Sequence, residues 1–247
     1  MRVSVITVCF NSVETIRETI ESVLSQEYFN IEYIIIDGGS SDGTLDIIQE
    51  YREKISKVIT EPDKGIYDAM NKGIDLATGD VIGFLNADDV YANEKVLKKI
   101  SHAHKNKSIH ACYADLVYVD NNKEIIRKYN SGRFRPDLIT WGWMPAHPTL
   151  YVKRCVFELY GKFKTNYKIA SDFEFVARVF GRHGISAIYI PEVWIKMRLG
   201  GVSTKNIKSN WILSKEIVKA CKENDIPTNI IKVLFKYPLK LLEYRVN

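Results

Sequence analysis

Four apolar runs alternate with four stretches of helical periodicity through the first 105 residues, and that alternation leaves few folds open to the chain. Residues 3–8 predict a strand, and Ser12 opens an amphipathic helix with Ile16, Ile20, Val23 and Leu24 on one face. Residues 32–37 (Glu-Tyr-Ile-Ile-Ile-Asp) form a second strand, almost wholly apolar, as strands covered on both faces are. Ser41 or Asp42 caps a helix holding Leu45, Ile48 and Tyr51. Residues 58–59 give a short third strand, 67–77 a third helix and 81–85 a fourth strand, after which Asn93 caps a helix reaching about His104. Four β-α units in a row predict an α/β fold: an open, mostly parallel, doubly wound sheet with its ligand crevice beyond the carboxyl ends of the strands.

The second half changes character. Residues 110–119 and 124–129 flank Asp120-Asn121-Asn122 and predict a hairpin. The Trp- and Pro-rich stretch 141–148 reads as an irregular loop, followed by a helix over about 172–182 and strands at 187–190 and 193–198. Two basic amphipathic helices close the chain, over about 206–224 and 229–244, the second interrupted at Pro238. The expected organisation is a domain over 1–204 in two halves that meet at about residues 105–106, then a helical extension over 205–247.

Composition removes several function classes. A net charge of +5 lacks the dense basic stripe of a nucleic-acid binder, yet suits an anionic small substrate or an anionic membrane surface. The four cysteines are far apart with no C-x-x-C spacing, which argues for reduced thiols rather than a zinc site or disulfides. The first residues do not form a signal peptide and no run reaches the length of a membrane span, so a cytoplasmic protein is expected, at most peripheral on the inner membrane face.

The chemistry-bearing residues gather at strand ends. Asn86-Ala87-Asp88-Asp89 follows the fourth strand, where adjacent carboxylates repel and lose water unless a hard divalent cation such as Mg²⁺ or Mn²⁺ joins them to a phosphate. A solvated turn capping the next helix is the competing account. Asp37 ends the second strand and leads into Gly38-Gly39-Ser40-Ser41-Asp42-Gly43-Thr44, a loop that lets the backbone approach a ligand but matches neither the G-x-G-x-x-G fingerprint nor a Walker loop. In residues 61–73, Pro62 and Gly65 fix a turn. Asp68, Asn71 and Lys72 then share a polar helix face, from which Asn71 reaches toward the fourth strand's end. Asp172 stands in the first turn of a later helix, where the helix dipole favours it whatever its role, and Glu174 with Arg178 reads as an i,i+4 ion pair. His147 sits in a rigid loop between Ala146 and Pro148.

Taken together, residues 5–11, 37–44, 61–73, 86–89, His147, Ser171-Asp172 and 200–204 resemble the family-2 glycosyltransferases, inverting enzymes of the GT-A fold, over roughly residues 1–204. The likeness is nearest to the colanic-acid and O-antigen type of bacterial polysaccharide glycosyltransferase. It implies a Rossmann-like GT-A sheet followed by C-terminal amphipathic helices. It also implies a metal-dependent transfer of a sugar from a UDP-sugar to a hydroxyl of a glycan or polyprenyl-diphosphate-linked acceptor, forming a β-glycoside. Thr7 and Asn11 would lie beside the nucleotide, Asp37 would accept the uracil N–H, and Asn71 and Asn86 would serve the donor. Asp88 would bind Mn²⁺ or Mg²⁺ with Asp89 in support, His147 would position acceptor or donor, and Asp172 would be the general base. Residues 200–204 resemble the loop that closes on the diphosphate. Many relatives carry Asp where this chain has Asn86, which leaves the tip one charge short. The absence of Gln-x-x-Arg-Trp argues against a processive synthase. A nucleotidyltransferase would need a basic Gly-rich loop after the first strand, which Cys9-Phe10-Asn11-Ser12 is not, and a non-catalytic nucleotide-sugar-binding module would have no use for Asp88, Asp89 and Asp172 together. The last helix sets Ile231, Leu234, Phe235, Leu239 and Leu242 on one face beside Lys232, Lys236 and Lys240, a face that can pack on the domain or lie on anionic lipid.

Overall fold

The computed structural model describes residues 1–198 and 207–241. The expected β-α alternation is present as β1 (Val3–Cys9), α1 (Ile16–Leu24), β2 (Ile31–Asp37), α2 (Thr44–Glu50), β3 (Lys57–Thr60), α3 (Ile66–Leu76) and β4 (Val81–Phe84). Beyond it come β5 (Asp89–Tyr91), α4 (Val96–Ala103), β6 (Ala111–Val119), β7 (Ile125–Tyr129), β8 (Tyr151–Lys153) and α5 (Arg154–Tyr160). The chain continues through α6 (Ser171–Val176), a π-helical turn (Ala177–Arg182), β9 (Ala187–Arg198), α7 (Ile207–Glu223) and α8 (Ile230–Leu241).

Among the described residues nine strands join one sheet in the order β3-β2-β1-β4-β8-β6-β9-β5, with β7 paired to β6. The β3-β2-β1-β4 part is parallel, whereas β8 enters antiparallel to both β4 and β6 and so joins the first half of the sheet to the second. Strand alternation sends β1 and β2 side chains into two separate cores. Ile6, Val8, Ile34 and Ile36 meet Met70 and Ile74 of α3, while Val3, Val5, Tyr33 and Ile35 meet Ile16, Ile20 and Val23 of α1. Burial on both faces explains why those strands read as unbroken apolar runs. α3 lies close enough to the sheet that a Cβ on Gly73 would stand 2.4 Å from Ile6 Cγ2. Ile217, Ala220 and Cys221 of α7 and Val233 of α8 belong to the same core as α3.

Three expectations are corrected. The two strands read at 187–190 and 193–198 are one, β9, and Pro191 sits where the β6–β9 register shifts between Tyr113 and Leu116. A bulge tolerates a residue with no N–H to give. α8 also runs through Pro238 without interruption. The carbonyl that a proline leaves unpaired there belongs to Leu234, a surface residue that water can serve. Finally, Asp89 is not a loop residue but the first residue of β5, paired with Met197 of β9. Residues 200–204 and Leu242 lie outside the described residues, as do the side chains of Leu239 and Lys240.

Candidate active site

A cleft of about 810 Å³ opens beyond the carboxyl ends of β1 and β4, and its walls carry Cys9, Asn11, Asp63, Asn86, Asp88, His147 and Asp172. Parallel pairing puts the ends of β1, β2 and β4 side by side, so their following loops share one rim. Asn11 adopts φ 48°, the left-handed conformation that Asn tolerates better than most residues. Its Oδ1 accepts the Ser41 N–H at 3.0 Å and its own N–H donates to Ser40 Oγ at 2.8 Å, stitching the β1 loop to the β2 loop.

Several sequence-singled polar residues turn out to have internal partners. Asp37 is fully buried: Oδ2 accepts the N–H groups of Gly39 and Ser40, each at 3.0 Å, and Oδ1 accepts Ser40 Oγ at 2.5 Å. It shapes the turn and is not part of the cleft wall. Thr7 is equally buried, with Oγ1 3.2 Å from the Tyr33 hydroxyl. Asn71 faces away from the cleft, donating to Phe163 O at 2.8 Å and accepting the Phe163 N–H at 3.0 Å. Asp63 does stand at this end of the wall, where Asp42 of the β2 loop also lines the cleft. Asp63 Oδ1 accepts the Gly65 N–H at 2.7 Å, and its Oδ2 crowds Gly38 so closely that a Cβ there would meet it at 2.4 Å. Sequence reasoning passed over Asp63, although its place between Pro62 and Gly65, directly after β3, was the available signal.

The acidic tip divides into two levels. Asp88 lines the cleft, and burial pushes its carboxyl above the ordinary range while Arg198 pulls the other way. Asp89 is wholly buried behind it. Burial, and then the Asp88 charge, drive its carboxyl well above the usual range. Among the described residues no hydrogen bond of ordinary geometry reaches either Asp89 oxygen, only the Asn86 side chain standing near enough to oppose the rise in its pKa, and Asn86 Oδ1 is itself unpaired. Thr19 Oγ1 fixes the Asp89 carbonyl at 2.8 Å, so the strand holds these atoms in place. Unpaired buried oxygens cost free energy unless something positive meets them, and a hard cation is the natural occupant of an all-oxygen cluster.

Asp172 occupies the opposite wall, in the first turn of α6. Its Oδ1 accepts the Phe173 N–H at 2.8 Å and faces the Tyr67 hydroxyl at 3.4 Å, which leaves Oδ2 for the cleft. Tyr67 also donates to Ile169 O. Burial, and next the Asp172 charge, push the tyrosine hydroxyl far up, so it stays protonated as a donor. The three residues before Ser171 are held from behind, because Glu216 of α7 accepts the N–H groups of Lys168, Ile169 and Ala170 at 2.7, 2.9 and 3.0 Å. His147 lies between the two walls, stacked on Phe84 with centroids 5.8 Å apart and edge-on to Phe163. Burial lowers its pKa, with Asp172 opposing, so the ring is neutral at physiological pH. The Glu174–Arg178 pair closes at 2.8 Å with Glu174 buried.

Comparison with known proteins gives the family and the fold. Residues 4–166 match the family described as Glycosyl transferase family 2. The Mycobacterium bovis protein named PGL/p-HBAD biosynthesis glycosyltransferase is 29% identical over 224 residues, covering 87% of this chain and 82% of its own. Among solved structures, S. aureus TarS 1-349 in complex with UDP has a TM-score of 0.70 at 18% identity, covering 92% of this chain and 67% of that one. Mannosyltransferase PcManGT from Pyrobaculum calidifontis, in complex with GDP-Man and Mn²⁺, has a TM-score of 0.66 at 19% identity, with 90% and 63% covered. The sheet is therefore a GT-A fold. With the match spanning about two thirds of its residues, the chain belongs to glycosyl transferase family 2.

Proposed function

We propose that this glycosyltransferase moves a sugar from a nucleotide-diphosphate donor, a UDP-sugar, to a hydroxyl of a glycan or lipid-linked acceptor, with inversion to a β-glycoside, in bacterial surface polysaccharide synthesis. The observation that carries this reading is the opposition of Asp88 and Asp172 across one cleft, one at the end of β4 and the other at the start of α6. The motif set shared with polysaccharide enzymes supports the acceptor class, and the UDP and GDP-Man held by the structural neighbours support the donor class.

Asn11 and the backbone of the β1 and β2 loops border the nucleotide end, with Asp63 the carboxylate placed to take a base N–H. Asp88 in the wall, with Asp89 and the Asn86 oxygen behind it, would hold Mn²⁺ or Mg²⁺. The Asp89 oxygens and Asn86 Oδ1 lack ordinary partners, all three residues offer oxygens of the type a hard cation takes, and the diphosphate would complete the set, since among the described residues no third His, Cys, Asp or Glu joins them. Such an ion supplies positive charge against the leaving diphosphate. His147, neutral and fixed by two aromatic rings, walls the space where the donor sugar and acceptor meet. Asp172 Oδ2 accepts the proton of the acceptor hydroxyl as its oxygen attacks the anomeric carbon in line. A carboxylate suffices as base, because the hydroxyl turns acidic only as its oxygen forms the new bond.

Replacing Asp172 with Asn preserves shape and removes the proton acceptor. The expected result is a loss of about 10²–10⁴-fold in kcat, with thermal stabilisation by UDP unchanged. Full activity in this variant would remove Asp172 from the mechanism, and loss of UDP stabilisation would show that the two walls are not separate in role.

A further inference from the structure

The way α8 is seated runs against its own sequence pattern. The helix is anchored through Val233, fully buried, and Lys236, only 3% exposed and within 3.4 Å of the Gly142 carbonyl. Its apolar face points outward: Ile231 is 75% exposed, Phe235 58% and Leu234 38%. These positions stand at i, i+3 and i+4 and therefore form one stripe. Trp141 extends the stripe, with its ring 6.1 Å from Phe235, and Lys232 Nζ lies 5.6 Å from the same indole. α7 repeats the pairing, with Trp211 47% exposed and Lys215 Nζ 5.1 Å from its ring. Globular helices turn such residues inward, so an outward stripe of this kind marks a docking face.

Charge identifies the occupant. Residues 1–204 contain 26 basic and 26 acidic residues, whereas residues 205–247 contain nine basic and four acidic, so the chain's whole net charge of +5 resides in this terminal segment. On α7, Lys215, Lys219 and Lys222 are exposed. A second copy of the chain would bring the same positive segment against itself. An anionic lipid surface instead takes both components, receiving the aromatic and aliphatic side chains at the acyl boundary and the lysines at the headgroups. Interfacial Trp–Lys pairs suit that depth, since the indole rests at headgroup level while the ammonium stays in water.

We infer that Ile231, Leu234, Phe235 and Trp141, with Lys232 beside them and the exposed lysines of α7 adding positive charge, form a docking face for anionic membrane. The test is co-sedimentation of the full chain with vesicles of mixed phosphatidylcholine and phosphatidylglycerol, and with phosphatidylcholine alone. Wild type should bind the anionic vesicles at least about tenfold more tightly, and the difference should shrink with added salt. The double variant Ile231→Ser/Phe235→Ser should lose about tenfold or more on the anionic vesicles, with an unchanged thermal melt because both side chains are already in water. Lys232→Glu is a milder second variant that should weaken anionic binding and leave the helix intact. Absence of wild-type binding, equal binding to both vesicle types, or retention of binding by the double variant overturns the proposal. So does a wild-type dimer that the double variant splits, which would make the occupant a second copy.

Discussion

Glu216 offers the sharpest test of how the fold serves the proposed base. It stands on α7, 44 positions after Asp172, yet its carboxylate takes three consecutive backbone N–H groups immediately before the Asp172 turn. Oε1 serves Lys168, and Oε2 serves Ile169 and Ala170. Ile169 is therefore gripped on both sides, its N–H by Glu216 and its carbonyl by Tyr67. In Glu216→Gln the amide oxygen can keep the two bonds of the Oε2 site, but the NH₂ then points at the Lys168 N–H. One hydrogen bond to a charged acceptor, worth about 1.5–3 kcal/mol, becomes a donor–donor contact, and the other two weaken to neutral strength. Glu216 is partly open to solvent, so the lower end applies, about 1.5–2 kcal/mol. If that loss falls on the order of the Asp172 turn, kcat should drop about 10–30-fold at saturating donor. The donor KM should stay within about twofold, because the proposed donor residues at the ends of β1, β2 and β4 make no hydrogen bond to the Glu216 carboxylate. The melting temperature should fall by about 3–8 °C. Steady-state kinetics with a UDP-sugar beside a melt decides the point. A lower melting temperature with unchanged kcat would make Glu216 a structural staple only, and a loss carried by donor KM would refute the separation of the walls.

Two further substitutions probe the frame beneath the site. Glu32 is buried at the opposite end of β2, and burial disfavours its charge, but Ser4 Oγ at 2.6 Å, the Thr78 N–H at 2.7 Å and the Thr78 hydroxyl at 2.8 Å more than offset this, assisted by Arg2. Its carboxyl is held down at about 2, against an ordinary 4.5. A depressed folded-state value stabilises the protein above the unfolded value, and that stability is lost as the pH falls from about 4.5 toward 2, a ceiling of about 3 kcal/mol cut to about 2 by the open positions of its cationic partners. Urea midpoints of wild type and Glu32→Gln should thus differ at pH 7, with the gap shrinking below about pH 4.5 and closing only at about pH 2 and below, and a gap that does not shrink in acid would disprove the assignment. Gly83→Ala in β4 should destabilise by about 1–3 kcal/mol, because its methyl would come within 2.1 Å of Tyr151 Cε1, in a ring held by the Tyr91 hydroxyl and by Trp194. An unaltered melting curve would show that this contact is looser than it looks.

How much of this was legible beforehand follows from period and length. β1, β2 and β4 are long or wholly buried, and their apolar runs with helical spacing between them could only build a parallel sheet covered on both faces. β5 and β8 span three residues each, too few to show any alternation, and β5 begins inside the acidic tip, where Asp89 reads as loop. Pro191 and Pro238 look like breaks in one dimension. Only the β6 register shift, and the surface position of Leu234, show how each is absorbed.

The site was legible in proportion to how few internal partners its residues have. Asp88 and Asp172 were visible as carboxylates at element ends, and the fold brings them to one cleft. Thr7, Asp37 and Asn71 carried the same one-dimensional signal, a polar residue at or near a strand end, yet Tyr33, the Gly39–Ser40 backbone and Phe163 satisfy them. Sequence alone cannot separate a buried polar group awaiting a ligand from one already paired, since both look like a polar residue among apolar neighbours. The distinction has a further consequence for the two walls. Residues 4–166, the stretch that matches the family, include the tip and Asp63 but stop short of Asp172 and Glu216. The proposed donor wall thus lies in the part of the chain that the family shares, while the turn carrying the proposed base is fastened by a helix outside that part. α7 packs in turn on α8, whose outward stripe faces the proposed membrane. One helical pair therefore links the surface where a lipid-borne acceptor would arrive to the turn that would take its proton, a coupling the donor wall has no structural reason to feel.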